Sequence, residues 1–204
     1  MRILVFGASG AVGSRVAQEA VARGHQVTGV SRTPTAVHLR RGDATDPSDV
    51  AALSQGHDVV ISATRPGPGQ EDELVQAAKG LLIGLRHSGV RLILVGGAAG
   101  LVDGRTGLTV MESPDFPPDW RPIAEACNEQ LELVRAASDV DWTYVSPPAL
   151  LEPGTRTGSY RLGTDHLVTD AAGRSSISME DFAIALVDEA EHPRHVGARF
   201  TVGY

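Results

Sequence analysis

The chain has 204 residues, 42% of them hydrophobic and 21% charged, with a formal net charge of −7. These proportions describe one globular domain over residues 1–204 and exclude a disordered, collagen-like or coiled-coil chain. The apolar runs are too short to span a bilayer and no cleavable leader is evident, while one cysteine excludes a disulfide framework and the negative charge argues against nucleic acid. The expectation is a cytoplasmic monomer or homodimer with neither membrane nor nucleic-acid partners.

In chain order, RILVFG (2–7) reads as a buried strand. Residues 12–23 follow with helical spacing at Val12, Val16 and Ala20, closed by Gly24. QVTGVS (26–31) is a second strand, and a short third is expected at 37–41. Asp46-Pro47 has the form of a helix cap followed by proline at the first helical position. HDVVISAT (57–64) is a strand, 71–87 a long helix closed by Gly89, and RLILVGG (91–97) the most hydrophobic strand. Residues 98–122, rich in Gly and Pro, read as an irregular loop of a length that is usually functional. A helix over 123–137 and the strand DWTYVS (141–146) come next. Short strands are expected up to residue 176, then a capping box at 178–181, a helix to about 191 and a final strand. This alternation predicts a doubly wound, Rossmann-like α/β parallel sheet with helices on both faces. A small C-terminal lobe is expected at about 147–178.

GASGAVG (7–13) lies between the first strand and first helix, with glycines at 7, 10 and 13. Gly7 permits a tight turn, Gly10 lets backbone approach a pyrophosphate, and Gly13 lets helix pack on strand. With Ser9, Ala11 and Val12, they form a candidate dinucleotide cradle at a helix N-terminus. The second strand ends in Ser31, Arg32 and Thr33, with no acid for the 2′-hydroxyl of NAD(H). Arg32 suits a 2′-phosphate, so NADP(H) is favoured over NAD(H), with Arg40 and Arg41 as weaker contacts. Asp43 and Ala44 are expected along the adenine, Ser62, Ala63 and Thr64 beside the ribose, and Gly96 and Gly97 at the cofactor's far end.

GASGAVG, VSR, GDATDP, DVVISAT, LVGG, DWTYVSPP and ISMEDFA occur in that order. Together they resemble the atypical short-chain dehydrogenase/reductases, in particular the NmrA-like and biliverdin-reductase-B/flavin-reductase-like NAD(P)H-binding proteins, over essentially the whole chain. The resemblance implies a single Rossmann-like domain with a small lobe over the cofactor. The chain departs from the wider superfamily at its Tyr-x-x-x-Lys pair, whose places fall near Arg121 and Glu125. The superfamily's catalytic serine is replaced by the Gly96–Ala99 segment, and the only lysine, Lys79, lies on another helix.

Reducing a simple ketone needs a positioned proton donor, whereas a conjugated acceptor spreads the charge and takes its proton from solvent. The residues therefore point to an NADPH-dependent reductase of a flat small molecule such as a flavin, quinone or linear tetrapyrrole, with His166 or Tyr160 as alternative donors. No catalytic residue is assigned. The acceptor pocket is expected from Arg65 and Pro66, then Leu101, Phe116 and Trp120 of the long loop, then Pro147 and Pro148, where a cis bond is conceivable. Phe116 and Trp120 equally suit anchors of the loop. Trp142 and Tyr144 read as strand core, and Cys127 as a packed, inert thiol. No metal is expected: His192 and His195 have no acid nearby beyond Glu191. Residues 155–161 read as a hairpin edge. A non-catalytic dinucleotide sensor and an isomerase or epimerase with bound NAD are the competing readings.

Overall fold

The computed structural model describes residues 1–34 and 39–204. Its main sheet has eight strands in the order β3-β2-β1-β4-β5-β6-β10-β8. The strands are β1 (Arg2–Phe6), β2 (Gln26–Ser31), β3 (Leu39–Arg41), β4 (Val59–Ser62), β5 (Arg91–Val95), β6 (Trp142–Ser146), β8 (Arg161–Gly163) and β10 (Ala198–Gly203). All neighbours pair in parallel except β8, which runs antiparallel to β10. The expected third strand is seen as Leu39–Arg41; Val37, expected at its start, lies outside the described residues. β7 (Leu150–Glu152) and β9 (Ser176–Ser178) form a separate parallel pair. Residues 147–178 thus contribute one strand to the main sheet and two to a small one.

The central strands are apolar without alternation because both sheet faces are covered. Leu4, Phe6, Leu92, Leu94 and Tyr144 pack with Ala78, Leu81 and Val134 from helices α3 (Asp72–Leu85) and α4 (Arg121–Arg135), and with Val50 of α2 (Pro47–Ser54). Ile3, Val5, Ile93 and Phe200 face Val16 and Ala20 of α1 (Ala11–Ala22) and Phe182 and Leu186 of α5 (Met179–Glu191). From β1 the chain winds outward to β2 and β3, then returns to β4 on the other side of β1. That reversal opens a crevice at the carboxyl ends of β1 and β4, where open α/β sheets bind ligands.

Several helix ends follow local chemistry. Asp46 caps α2, its side chain accepting from the Ser48 amide at 2.8 Å, with Pro47 in the first turn. The long helix α3 does not end on Gly89 as expected. The last helical residue is Leu85, Arg86 leaves the helical region at ψ 129°, and both His87 (φ 57°) and Gly89 (φ 72°) lie in the left-handed region beyond it. α4 begins at Arg121, before the expected position, because Pro122 sits in its first turn, where a missing N–H costs nothing. Ser178 caps α5 by accepting from the Asp181 amide at 3.0 Å, but Asp181 does not complete the expected box. Its carboxylate instead accepts from Thr157, Gly158 and the Tyr204 hydroxyl.

The 98–122 segment is more ordered than its composition suggests. Val102 makes isolated bridges to Thr109 and His166, and two single-turn 3₁₀ helices, Val110–Glu112 and Pro118–Trp120, punctuate it. Thr109 and Glu112 exchange side-chain and backbone hydrogen bonds in a capping box. Residues 155–160 form no hairpin; Arg156 is tied to Glu19 of α1 at 2.9 Å and the Thr157 amide to Asp181 at 2.9 Å.

Candidate dinucleotide and acceptor cleft

A cleft of about 980 Å³ opens along the carboxyl ends of the strands. Its first wall is the glycine loop. Gly7 has φ +78°, and a Cβ there would stand 2.5 Å from the Ala63 carbonyl oxygen. A Cβ on Gly13 would stand 2.2 Å from the Gly7 oxygen, so this glycine brings α1 against the strand rather than lining the cleft. Gly10 differs: only the Gly7 oxygen, at 3.2 Å, lies near its would-be Cβ. It caps α1 in extended conformation with no side chain on the helix amides. A first turn with free N–H groups and no Cβ at its mouth fits a pyrophosphate.

Ser9, Ala11 and Val12 line the cleft with Gly7 and Gly10. The Ser9 and Ser31 hydroxyls lie 2.9 Å apart and hold the loop to the end of β2. Arg32 lines the cleft, yet its guanidinium is already engaged: Nη1 donates to Glu73 Oε2 at 2.8 Å. Asp43 and Ala44 line the next stretch, and the Asp43 carboxylate is fixed by the Thr45 amide and hydroxyl, each at 2.9 Å. Ala63 and Thr64 line the floor beyond β4. Ser62 is buried, its hydroxyl 3.3 Å from that of Thr64, and does not reach the cleft.

The far half is bounded by Gly96, Gly97, Arg65, Pro66, Ile123, Cys127, Pro147, Pro148 and Met179. Gly96 is required by packing, since a Cβ would fall 1.9 Å from the Tyr144 ring. The Tyr144 phenol lies beneath this turn, receiving the Gly97 amide at 3.3 Å and standing 3.0 Å from the Cys127 carbonyl and 3.2 Å from Gln130 Oε1. Burial pushes its pKa far above the ordinary tyrosine value. Burial also pushes the Cys127 thiol up to about 11, so it stays protonated at neutral pH. Sequence reading placed Cys127 in the packing and missed that it faces the cleft.

From the long loop, Phe116 and Trp120 both line the opening. Trp120 is 60% exposed, so it does not anchor the loop, whereas Phe116 is half-buried with the Arg121 guanidinium 6.0 Å from its ring centre. Leu101 is fully buried and is core rather than pocket. Neither alternative proton donor lines the cleft. The Tyr160 hydroxyl donates to Asp188 at 2.5 Å beside a separate cavity of about 270 Å³, and His166 bridges the long loop at Val102. His195 does have an acid partner, Glu189, with Nδ1 to Oε2 at 2.8 Å. No cis peptide bond and no cluster of three or more His, Cys, Asp or Glu able to hold a metal occurs among the described residues. No helix among them is long and apolar enough to cross a membrane.

Comparison with known proteins agrees with this geometry. A family model described as NAD(P)H-binding matches residues 7–193. YwnB of Bacillus subtilis, an uncharacterized protein, is 39% identical over 209 residues, covering 99% of this chain and 98% of its own. Among solved structures, a Burkholderia pseudomallei protein provisionally described as exported is 40% identical, with both chains fully covered and a TM-score of 0.91. A provisionally named epimerase from Bacteroides thetaiotaomicron is 39% identical, with TM-score 0.89 and coverage of 100% of this chain and 96% of its own. A provisionally named NADH-flavin reductase from Streptococcus pneumoniae is 31% identical, with TM-score 0.89 and coverage of 100% and 99%. A Rossmann-like sheet, a glycine cradle at its switch point and relatives matched along their whole length lead to one conclusion: the chain belongs to the NAD(P)H-binding family.

Proposed function

We propose that this protein is a reductase that uses NADPH in preference to NADH and passes a hydride to a flat conjugated acceptor: a flavin, a quinone or a linear tetrapyrrole. The observation that carries the reading is the placement of the tyrosines. All three phenols are engaged away from the cleft, Tyr144 beneath it, Tyr160 on Asp188 and Tyr204 on Asp181. Lys79 does not line the cleft either. A site without a phenol or ammonium to protonate an alkoxide suits an acceptor whose own conjugation takes up the charge, with solvent supplying the proton. When bound, the reduced nicotinamide supplies the hydride.

The residues of the chain bind and orient. Gly7, Ser9, Gly10, Ala11 and Val12 cradle the pyrophosphate, Arg32 meets the 2′-phosphate, and Asp43 and Ala44 flank the adenine. Ala63, Thr64, Gly96 and Gly97 let the cofactor lie against backbone. Pro147, Pro148, Phe116 and Trp120 offer flat faces to the acceptor ring, a matter of proximity and orientation. Arg65 is exposed at this end of the cleft and takes an acceptor's carboxylate or phosphate. The name of the Streptococcus relative supports the flavin class. NADPH supply places the reaction in the cytoplasm on this reading.

The test is NADPH oxidation by the purified protein with flavin mononucleotide, a naphthoquinone and biliverdin, against an aliphatic ketone. Turnover with a conjugated acceptor and none with the ketone is expected. Efficient ketone reduction overturns the reading. Binding without turnover on any acceptor favours a dinucleotide sensor. The name of the Bacteroides relative keeps an epimerase in view, which would retain its cofactor and consume no NADPH.

A further inference from the structure

The end of β2 has no acid in sequence, yet the structure brings one there from elsewhere. Glu73, in the first turn of α3, reaches the β2 end and accepts a hydrogen bond from Arg32 at 2.8 Å. Both residues line the cleft. Their side chains are 53% and 26% exposed, so the pair is not locked by packing and can open. A guanidinium and a carboxylate, 41 positions apart in the chain, therefore stand together where the adenosine ribose 2′-substituent is read.

We propose that Glu73 is a cofactor-specificity residue that holds the preference for NADPH to a modest level and keeps NADH usable. This rests on the dinucleotide reading of the cleft and on Arg32 as the 2′-phosphate contact. A ribose 2′-hydroxyl can donate to the Glu73 carboxylate while the Arg32 pair stays closed, which supplies the acid missing from β2. A 2′-phosphate must instead take Arg32 from Glu73 and sit beside a like charge. The guanidinium has donors enough for both anions, so the phosphate is accepted against this competition.

Calorimetric titration of the wild-type chain, Arg32→Ala and Glu73→Gln with NADPH and NADH tests this directly. Wild type is expected to bind both, NADPH the tighter by no more than about tenfold. Glu73→Gln is expected to tighten NADPH by about fivefold, the scale of one partly exposed charge contact, and to leave NADH unchanged or weaker. The gain should shrink at high salt. If Arg32→Ala selectively weakens NADPH but Glu73→Gln leaves both affinities within twofold of wild type, the role of Glu73 is overturned and that of Arg32 stands. If Arg32→Ala leaves the NADPH/NADH ratio unchanged, the phosphate contact itself is wrong. If neither nucleotide binds wild type, the dinucleotide reading falls with both.

Discussion

The three glycines of the loop do different work, and substitution separates them. At Gly10 a methyl meets one oxygen at 3.2 Å and otherwise faces the cradle. Gly10→Ala is expected to fold normally and to weaken NADPH binding at least tenfold by calorimetry, a loss of about 1.4 kcal/mol. At Gly13 the methyl would drive into the Gly7 carbonyl at 2.2 Å, so Gly13→Ala should cost about 3 kcal/mol in urea unfolding. Tyr144→Phe removes a buried hydroxyl that holds the Gly97 amide and faces Gln130, and should cost about 1–3 kcal/mol. Because that phenol lies under the cleft, kcat should stay within about threefold; a loss of two or more orders would make Tyr144 the missing acid. At this scale the glycine spacing was legible, since Gly10 and Gly13 answer to Gly7 and Ala8 within the loop; the close approach of Gly7 to Ala63, 56 positions along the chain, was not. Glu73 was not, because nothing in its local sequence says that α3 delivers it to Arg32.

Among the elements, α3 shows where periodicity stops informing. Its apolar stripe fixes the buried face, with Leu74, Ala78, Leu81 and Leu85 all against the sheet or its neighbours. Its end is decided by backbone conformation, and His87 adopts φ 57°, a region that disfavours residues with a Cβ. His87→Gly is expected to stabilise the protein by about 0.5–1 kcal/mol, read as a rise in the urea midpoint with unchanged slope. The start of α4 departs from expectation for the opposite reason: Pro122 extends the Gly- and Pro-rich pattern of the loop before it, yet proline is welcome in a helix's first turn. The 98–122 segment is held by contacts such as Val102 to His166, whose partners lie too far along the chain for composition to disclose.

For the molecule as a whole, the order of strands and helices was legible because the buried strands are short and apolar, with glycine or proline within a few residues of their ends. What the sequence hid is how the 150–160 region is tied down. Glu19 of α1, 8% exposed, accepts from Arg156 at 2.9 Å and from Arg23 at 2.8 Å. The Arg156 hydrogen bond, with that of Arg23, holds the Glu19 carboxyl below its ordinary 4.5 against the opposing effect of burial. The charged form is the one favoured on folding. Its contribution is therefore fully present above about pH 4.5 and is lost as pH falls through the lowered folded value. Glu19→Gln is expected to cost about 1–3 kcal/mol at neutral pH, and the gap to wild type should close in urea titrations below about pH 4.5. A gap independent of pH would mean that shape, not charge, matters there.

Lys79 is exposed on α3, in the same helix that carries Glu73, and it is the chain's only lysine. A lysine-specific protease thus has one possible cut, after Lys79, and it lies in the middle of a folded helix that must unwind before the enzyme can grip it. The rate of that single scission is a clock for the opening of α3. Any dinucleotide that bridges α3 to the β2 end would slow it without a label or an engineered site.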